Sequence, residues 1–153
     1  MTVEPHSYTD AELLRVLERS QTIAVVGMST DPAKPSHTVP KMLIKRGFTV
    51  IPVNPTTDEI LGQRSYPTLA DIPVHVDIVD VFRPGPKTPE YADKAAEIGA
   101  DTLWLQLGIS NEETKARAEA HGLQYFENIC IGETVHRLNY RKTQPDDSTP
   151  DES

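Results

Sequence analysis

The 153-residue chain has the length of one ordinary domain, carries a formal net charge of −8 and contains a single cysteine, Cys130. The acidity argues against a nucleic-acid binder held by a broad basic field. One cysteine permits no internal disulfide, and no apolar run approaches the roughly 20 residues of a membrane span or the form of a signal peptide. A cytoplasmic protein is expected, with a folding unit over 8–140. Residues 141–153 offer nothing apolar to bury and are expected to form a disordered acidic tail.

Strand-like and helix-like segments alternate along the chain. Thr9-Asp10-Ala11-Glu12 has capping-box form and opens a helix bearing Leu13, Leu14 and Leu17. Thr22–Gly27 is a compact apolar run suited to a strand buried on both faces. A proline-bearing loop leads to a helix through Met42, Leu43 and Ile44 that stops at Gly47; Pro40 predicts its start near residue 38 or 39, because proline belongs in a first turn. Phe48–Val53 reads as the second strand and Leu61–Tyr66 as a short strand or hairpin arm. Val76–Phe82 is the third strong strand. Thr88 then caps a helix with Pro89 at its first position, running to Gly99. Thr102–Gln106 is a fourth strand. Ser110-Asn111-Glu112-Glu113 has the form of another capping box, for a helix ending at Gly122. Leu123–Phe126 is the fifth strand, and Glu133–Leu138 forms a last helical turn.

Five strands separated by helices favour parallel pairing, so the expected fold is α/β: a Rossmann-like, doubly wound, mainly parallel five-stranded sheet with helices on both faces. Such sheets bind ligands beyond the carboxyl ends of their strands. That rule selects the turns after Gly27, after Val53 and after Phe82.

At the first turn, Gly27 lets the chain leave the strand tightly, Met28 follows, and Ser29 offers a hydroxyl and a backbone N–H to the crevice. The helix start around Ser36 presents free N–H groups to an anion. Lys34 supplies a mobile point charge, and His37 is either a phosphate donor or an ordinary helix-start residue. The dinucleotide fingerprint is missing, since glycines are needed where Ser29 and Pro32 stand. The second strand ends in Val53-Asn54-Pro55 instead of the acid that takes a ribose hydroxyl of NAD. A Walker motif is absent too. Val53, Asn54 and Pro55 suit a flat adenine ring. Phe82 closes the third strand, and Arg83 beside it can reach a phosphate bidentately.

No histidine shows metal-ligand spacing with the cysteine or another histidine. Cys130 reads as a small buried core residue, and Asp77 and Asp80 as capping or pairing groups. No complete catalytic constellation emerges, and neither a catalytic residue nor a metal is expected.

Val25-Val26-Gly27-Met28-Ser29, Lys34-Pro35-Ser36, the run Gly47–Pro55, Tyr66-Pro67-Thr68-Leu69, Val76–Arg83 and Trp104-Leu105-Gln106 together resemble the single-domain bacterial CoA-binding proteins. They are also similar to the nucleotide-binding N-terminal domain of the succinyl-CoA ligase alpha subunit. The resemblance runs from about residue 10 to residue 138. It implies coenzyme A as ligand, with phosphates over Ser29 and near Lys34 and Ser36. The adenosine end would lie near Val53, Asn54 and Pro55, and Phe82 and Arg83 would border the remaining path. The chain departs from the family at Asn128-Ile129, where an Asp-Arg pair is usual. CoA carries roughly four negative charges at neutral pH, which suits Lys34, Arg83 and a helix terminus.

The leading expectation is a non-catalytic carrier, sensor or regulatory module that binds CoA or an acyl-CoA, with neither nucleic acid nor membrane as partner and a homodimer left open. The alternatives are an NAD(P)-dependent oxidoreductase or isomerase subunit, and an interaction protein with a vestigial nucleotide pocket.

Overall fold

The computed structural model describes residues 8–142. Its elements are α1 (Asp10–Arg19), β1 (Thr22–Val26), α2 (Pro35–Lys45), β2 (Thr49–Val53), β3 (Glu59–Ile60), β4 (Gln63–Arg64), β5 (Ile78–Val81), α3 (Pro89–Glu97), β6 (Thr102–Leu105), α4 (Glu112–Ala120), β7 (Gln124–Phe126) and α5 (Ile131–Arg137), with short 3₁₀ turns at Leu69–Asp71 and Gly85–Lys87. Five parallel strands form one sheet in the order β2-β1-β5-β6-β7, and β3 and β4 make a separate antiparallel hairpin. The Rossmann-like α/β architecture is as expected. No helix among the described residues is long and apolar enough to cross a membrane.

Strand alternation divides the core in two. Ile23, Val25, Ile78, Trp104 and Phe126 face one side, where they meet Leu13, Val16 and Leu17 of α1, Leu43 of α2, and Ile131 and Val135 of α5. Ala24, Val26, Val79, Val81, Leu103 and Leu105 face the other, against Ala92 and Ala95 of α3 and Ala118 of α4. Small residues on α3 and α4 let those helices lie close to the sheet. Trp104 and Phe126 pack at a tilt of 36° with ring centroids 4.7 Å apart on the first side, and Tyr8 meets Phe126 edge-on at 4.8 Å.

The Thr9 capping box forms as read from sequence. The α3 helix starts at Pro89 as expected, and α5 starts at Ile131, two residues before Glu133. Three further features differ. The α2 helix begins at Pro35, so Pro40 sits inside it rather than in its first turn. The cap of α4 is Asn111, one residue later than Ser110, because the Asn111 Oδ1 reaches the Thr114 N–H at 3.0 Å. Thr88 precedes α3 but makes no side-chain cap; its hydroxyl instead donates to the Gly85 carbonyl at 2.7 Å and lies 2.6 Å from the Thr114 hydroxyl.

At the other end of the chain, Lys142 donates to the carbonyl of Leu17 at 2.9 Å and lies over the ring of Phe48. Arg141 donates to the carbonyl of Lys45 at 3.1 Å. These two residues of the expected tail are therefore tied to α1 and α2, and the rest of it, 143–153, lies outside the described residues.

Candidate functional site

In the sheet order, β1 stands between β2 and β5, so the chain leaves β1 toward α2 on one face and leaves β5 toward α3 on the other. The separating loops open a crevice at the strand ends, as expected at a switch in strand order. A cleft of about 600 Å³ lies there. From the first turn it is lined by Gly27, Met28, Ser29, Lys34 and Ser36; from the second by Val53, Asn54 and Pro55; from the third by Phe82 and Arg83. The structure thus brings together every residue singled out from sequence except His37.

His37 lies behind the loop. Its Nδ1 is 2.8 Å from the Ser29 carbonyl oxygen, which has only lone pairs, so Nδ1 carries the hydrogen and donates. The Ser29 N–H does not face the crevice as anticipated; it donates to the Ser36 carbonyl at 3.1 Å. The Ser29 hydroxyl accepts from the Asp31 N–H at 3.0 Å and keeps its own hydrogen to donate. Asn54 is also committed to the protein: its amide donates to the Met28 carbonyl at 2.9 Å, and its oxygen accepts the N–H and hydroxyl of Thr56 at 2.7 Å. Asn54 therefore fastens the exit of β2 to the exit of β1.

The amides of Met28, Thr30 and Ser36 have no intramolecular acceptor among the described residues. With Ser36 in the first turn of α2, they form a group of free donors at a helix start. Lys34 and Arg83 line the same cleft, both exposed, and no carboxylate does. A locally positive recess thus sits on a chain of net charge −8.

Sequence reasoning did not single out Thr30, Thr56, Pro67 and Tyr91, which with Val26 complete the wall. Tyr66 bridges to Val53 beside β2, which carries Pro67 to the cleft; Tyr91 arrives from the first turn of α3. Burial pushes the Tyr91 phenol upward, the Glu90 carboxylate adds to this and Arg83 pulls it down, so it is a neutral hydroxyl at physiological pH. The Tyr66-Pro67 pair was visible as a motif, but nothing local marks Tyr91.

A larger cavity of about 860 Å³ lies beside the β3–β4 hairpin. It is lined by Asp58, Glu59 and Asp71 against Arg64 alone, the wrong balance for a polyanion.

Catalytic groups are not assembled in the cleft. No histidine or cysteine lines it. Cys130 is half-buried instead of fully in the core, and its Sγ accepts from the Glu133 N–H at 3.4 Å as the cap of α5. Burial pushes its thiol upward, with Asp80 and Glu133 adding to the shift while the Glu133 and Gly132 amides oppose it. Asp77 caps as expected, accepting from the N–H groups of Gln21 and Thr22 at 2.9 Å each. Its other oxygen, with His75 and Asp101, forms a group whose ligand-type atoms lie within 4.8 Å of one another. That mainly exposed group precedes β5 and β6, at the opposite strand ends from the cleft. Asp80 is wholly buried; desolvation pushes its carboxyl up to about 8, although the Gln106 amide hydrogen bond pulls it down.

Comparison with known proteins agrees with this geometry. The family model for the CoA binding domain matches residues 21–135. The YneT protein of Bacillus subtilis is 40% identical over 121 residues, covering 79% of this chain and 90% of its own. An ADP-forming acetate–CoA ligase II of Archaeoglobus fulgidus is 31% identical over 125 residues; the match covers 74% of this chain but only 19% of the ligase. Among solved structures, a hypothetical protein from Pyrococcus horikoshii OT3 superposes with a TM-score of 0.86 at 34% identity, covering 91% of this chain and 98% of that one. The dinucleotide-forming acetyl-coenzyme A synthetase 1 of Ca. Korarchaeum cryptofilum, in complex with phosphate and ADP, superposes with a TM-score of 0.68 at 30% identity, over 76% of this chain and 27% of the synthetase. The kinship with ligases thus runs to ADP-forming acetate–CoA ligases and not specifically to the succinyl-CoA ligase that the motifs resembled. With its fold, its cleft and a family match over residues 21–135, the chain belongs to the CoA binding domain family.

Proposed function

We propose that this chain binds coenzyme A or an acyl-CoA in the cleft at the ends of β1, β2 and β5, and acts as a carrier, sensor or regulator without performing chemistry on the ligand. One observation carries the reading: Lys34, Arg83 and three residues whose amides lack an acceptor among the described residues, Met28, Thr30 and Ser36, line one cleft that no carboxylate lines. The pyrophosphate would take the amides and the two cations. The adenosine end would lie against Val53, Asn54 and Pro55, where no acid repels the 3′-phosphate. The ligases that share this domain contain much more chain, so their group-transfer chemistry is not carried over to it.

Thermal unfolding with CoA, acetyl-CoA, dephospho-CoA, ADP and NAD tests the reading, since a ligand specific to the folded state stabilises by mass action, about 2.7 kcal/mol at a hundredfold excess over Kd. CoA and acetyl-CoA should raise the midpoint saturably, and dephospho-CoA less. A response to NAD with none to CoA rejects the proposal.

A further inference from the structure

Proline in a helix interior removes one N–H and pushes its ring against the carbonyl four residues earlier. For Pro40 of α2, that carbonyl belongs to Ser36. The deprived carbonyl is the one that accepts the Ser29 N–H at 3.1 Å. One residue further along the helix, His37 Nδ1 donates to the Ser29 carbonyl at 2.8 Å. Both backbone groups of Ser29 are therefore taken by the first turns of α2.

We infer that Pro40, which does not line the cleft, is a positioning residue for it: by leaving the Ser36 carbonyl without a helical donor and turning it outward, Pro40 fixes the Ser29 loop on α2. This rests on the CoA reading only for its functional consequence. With Ser29 held on both sides, the adjoining Met28 and Thr30 amides stay unpaired and in place. An ordinary residue at position 40 would supply its own N–H to Ser36 and let that carbonyl return to the helix axis, competing with Ser29. The helix thus gives up one internal bond, and the loop gains it.

Backbone amide exchange on native protein and on Pro40→Ala decides this without ligand, and CoA titration of both reads the consequence. Ser29 exchange should accelerate on the order of tenfold in Pro40→Ala, the loss of about one net backbone hydrogen bond, while amides 43–45 of α2 keep their protection. CoA affinity should fall severalfold. Thr38→Ala, an exposed change that favours helix without touching the Ser36 carbonyl, should leave Ser29 exchange unchanged. Unchanged Ser29 protection in Pro40→Ala overturns the inference. So does uniform acceleration along α2, which would give Pro40 a merely structural role. If native protein fails to bind CoA, the ligand reading falls, while the exchange data still decide whether Pro40 holds the loop.

Discussion

A Cβ placed on Gly27 would lie 2.8 Å from the carbonyl oxygen of Phe82, so the chain leaving β1 passes backbone to backbone against the chain leaving β5. Gly27 also has a φ of +84°, a region costly for other residues. Two penalties coincide, and a control separates them. Gly108 has the same φ of +84° but open space around its Cβ position. Gly108→Ala should cost about 1 kcal/mol, and Gly27→Ala about 2–4 kcal/mol, measured by urea unfolding. Equal costs would show that the close approach is absent.

Lys34 and Arg83 are exposed and belong to no ion pair among the described residues. Neither should matter to the stability of the free protein. Lys34→Ala and Arg83→Ala are each expected to weaken CoA roughly tenfold, in keeping with charge-assisted bonds of about 1.5–3 kcal/mol that are partly screened by solvent. Calorimetry at two salt concentrations checks this, because the salt dependence should shrink in each variant. Full affinity in both would remove the phosphates from this end of the cleft.

Most of this site was legible because its residues lie where strands end, and strand ends were marked by apolar runs meeting Gly27, Asn54 and Arg83. What escaped was set by contacts distant in sequence. Pro40 reads as a first-turn residue until Ser29, from the preceding loop, is seen to take the carbonyl it frees. Ser110 and Asn111 offer equivalent cap chemistry, and only the Asn111 side chain reaches Thr114. Thr88 matches a cap by composition, yet its hydroxyl finds a buried partner on α4. Tyr91 carries no local signal, because its place in the cleft depends on how α3 packs on the sheet.

Asp80 should give stability an inverted pH dependence. Its folded carboxyl is raised to about 8 from an ordinary value of 3.8, so the folded state holds the proton more tightly across that window. The unfolded chain then binds fewer protons, and this group's contribution falls as pH rises from near 4 to near 8 and is level above. Asp80 Oδ2 has no hydrogen-bond partner, so ionisation there would be uncompensated. Asp80→Asn retains an acceptor for Gln106 and removes the titration. The stability of the variant relative to native should rise across the window by more than about 1 kcal/mol, one pKa unit being about 1.4 kcal/mol. Chemical denaturation at pH 5, 7 and 9 measures it, and a difference constant with pH would place an ordinary carboxylate at position 80.

Asn54 separates support from repulsion within the proposed site. Its amide donates to the Met28 carbonyl at 2.9 Å while its oxygen accepts from Thr56. Asn54→Ala removes both and should weaken CoA severalfold by loosening two loops. Asn54→Asp keeps the acceptor for Thr56 but loses the donor and adds a negative charge beside the Met28 carbonyl and the adenosine end. Its loss of CoA affinity should exceed that of the alanine variant by about tenfold, and dephospho-CoA should recover part of the difference because it lacks the 3′-phosphate. Equal losses for the two variants, or no relief with dephospho-CoA, would mean that the adenosine phosphate lies away from β2 and that Asn54 serves the cleft only as a brace.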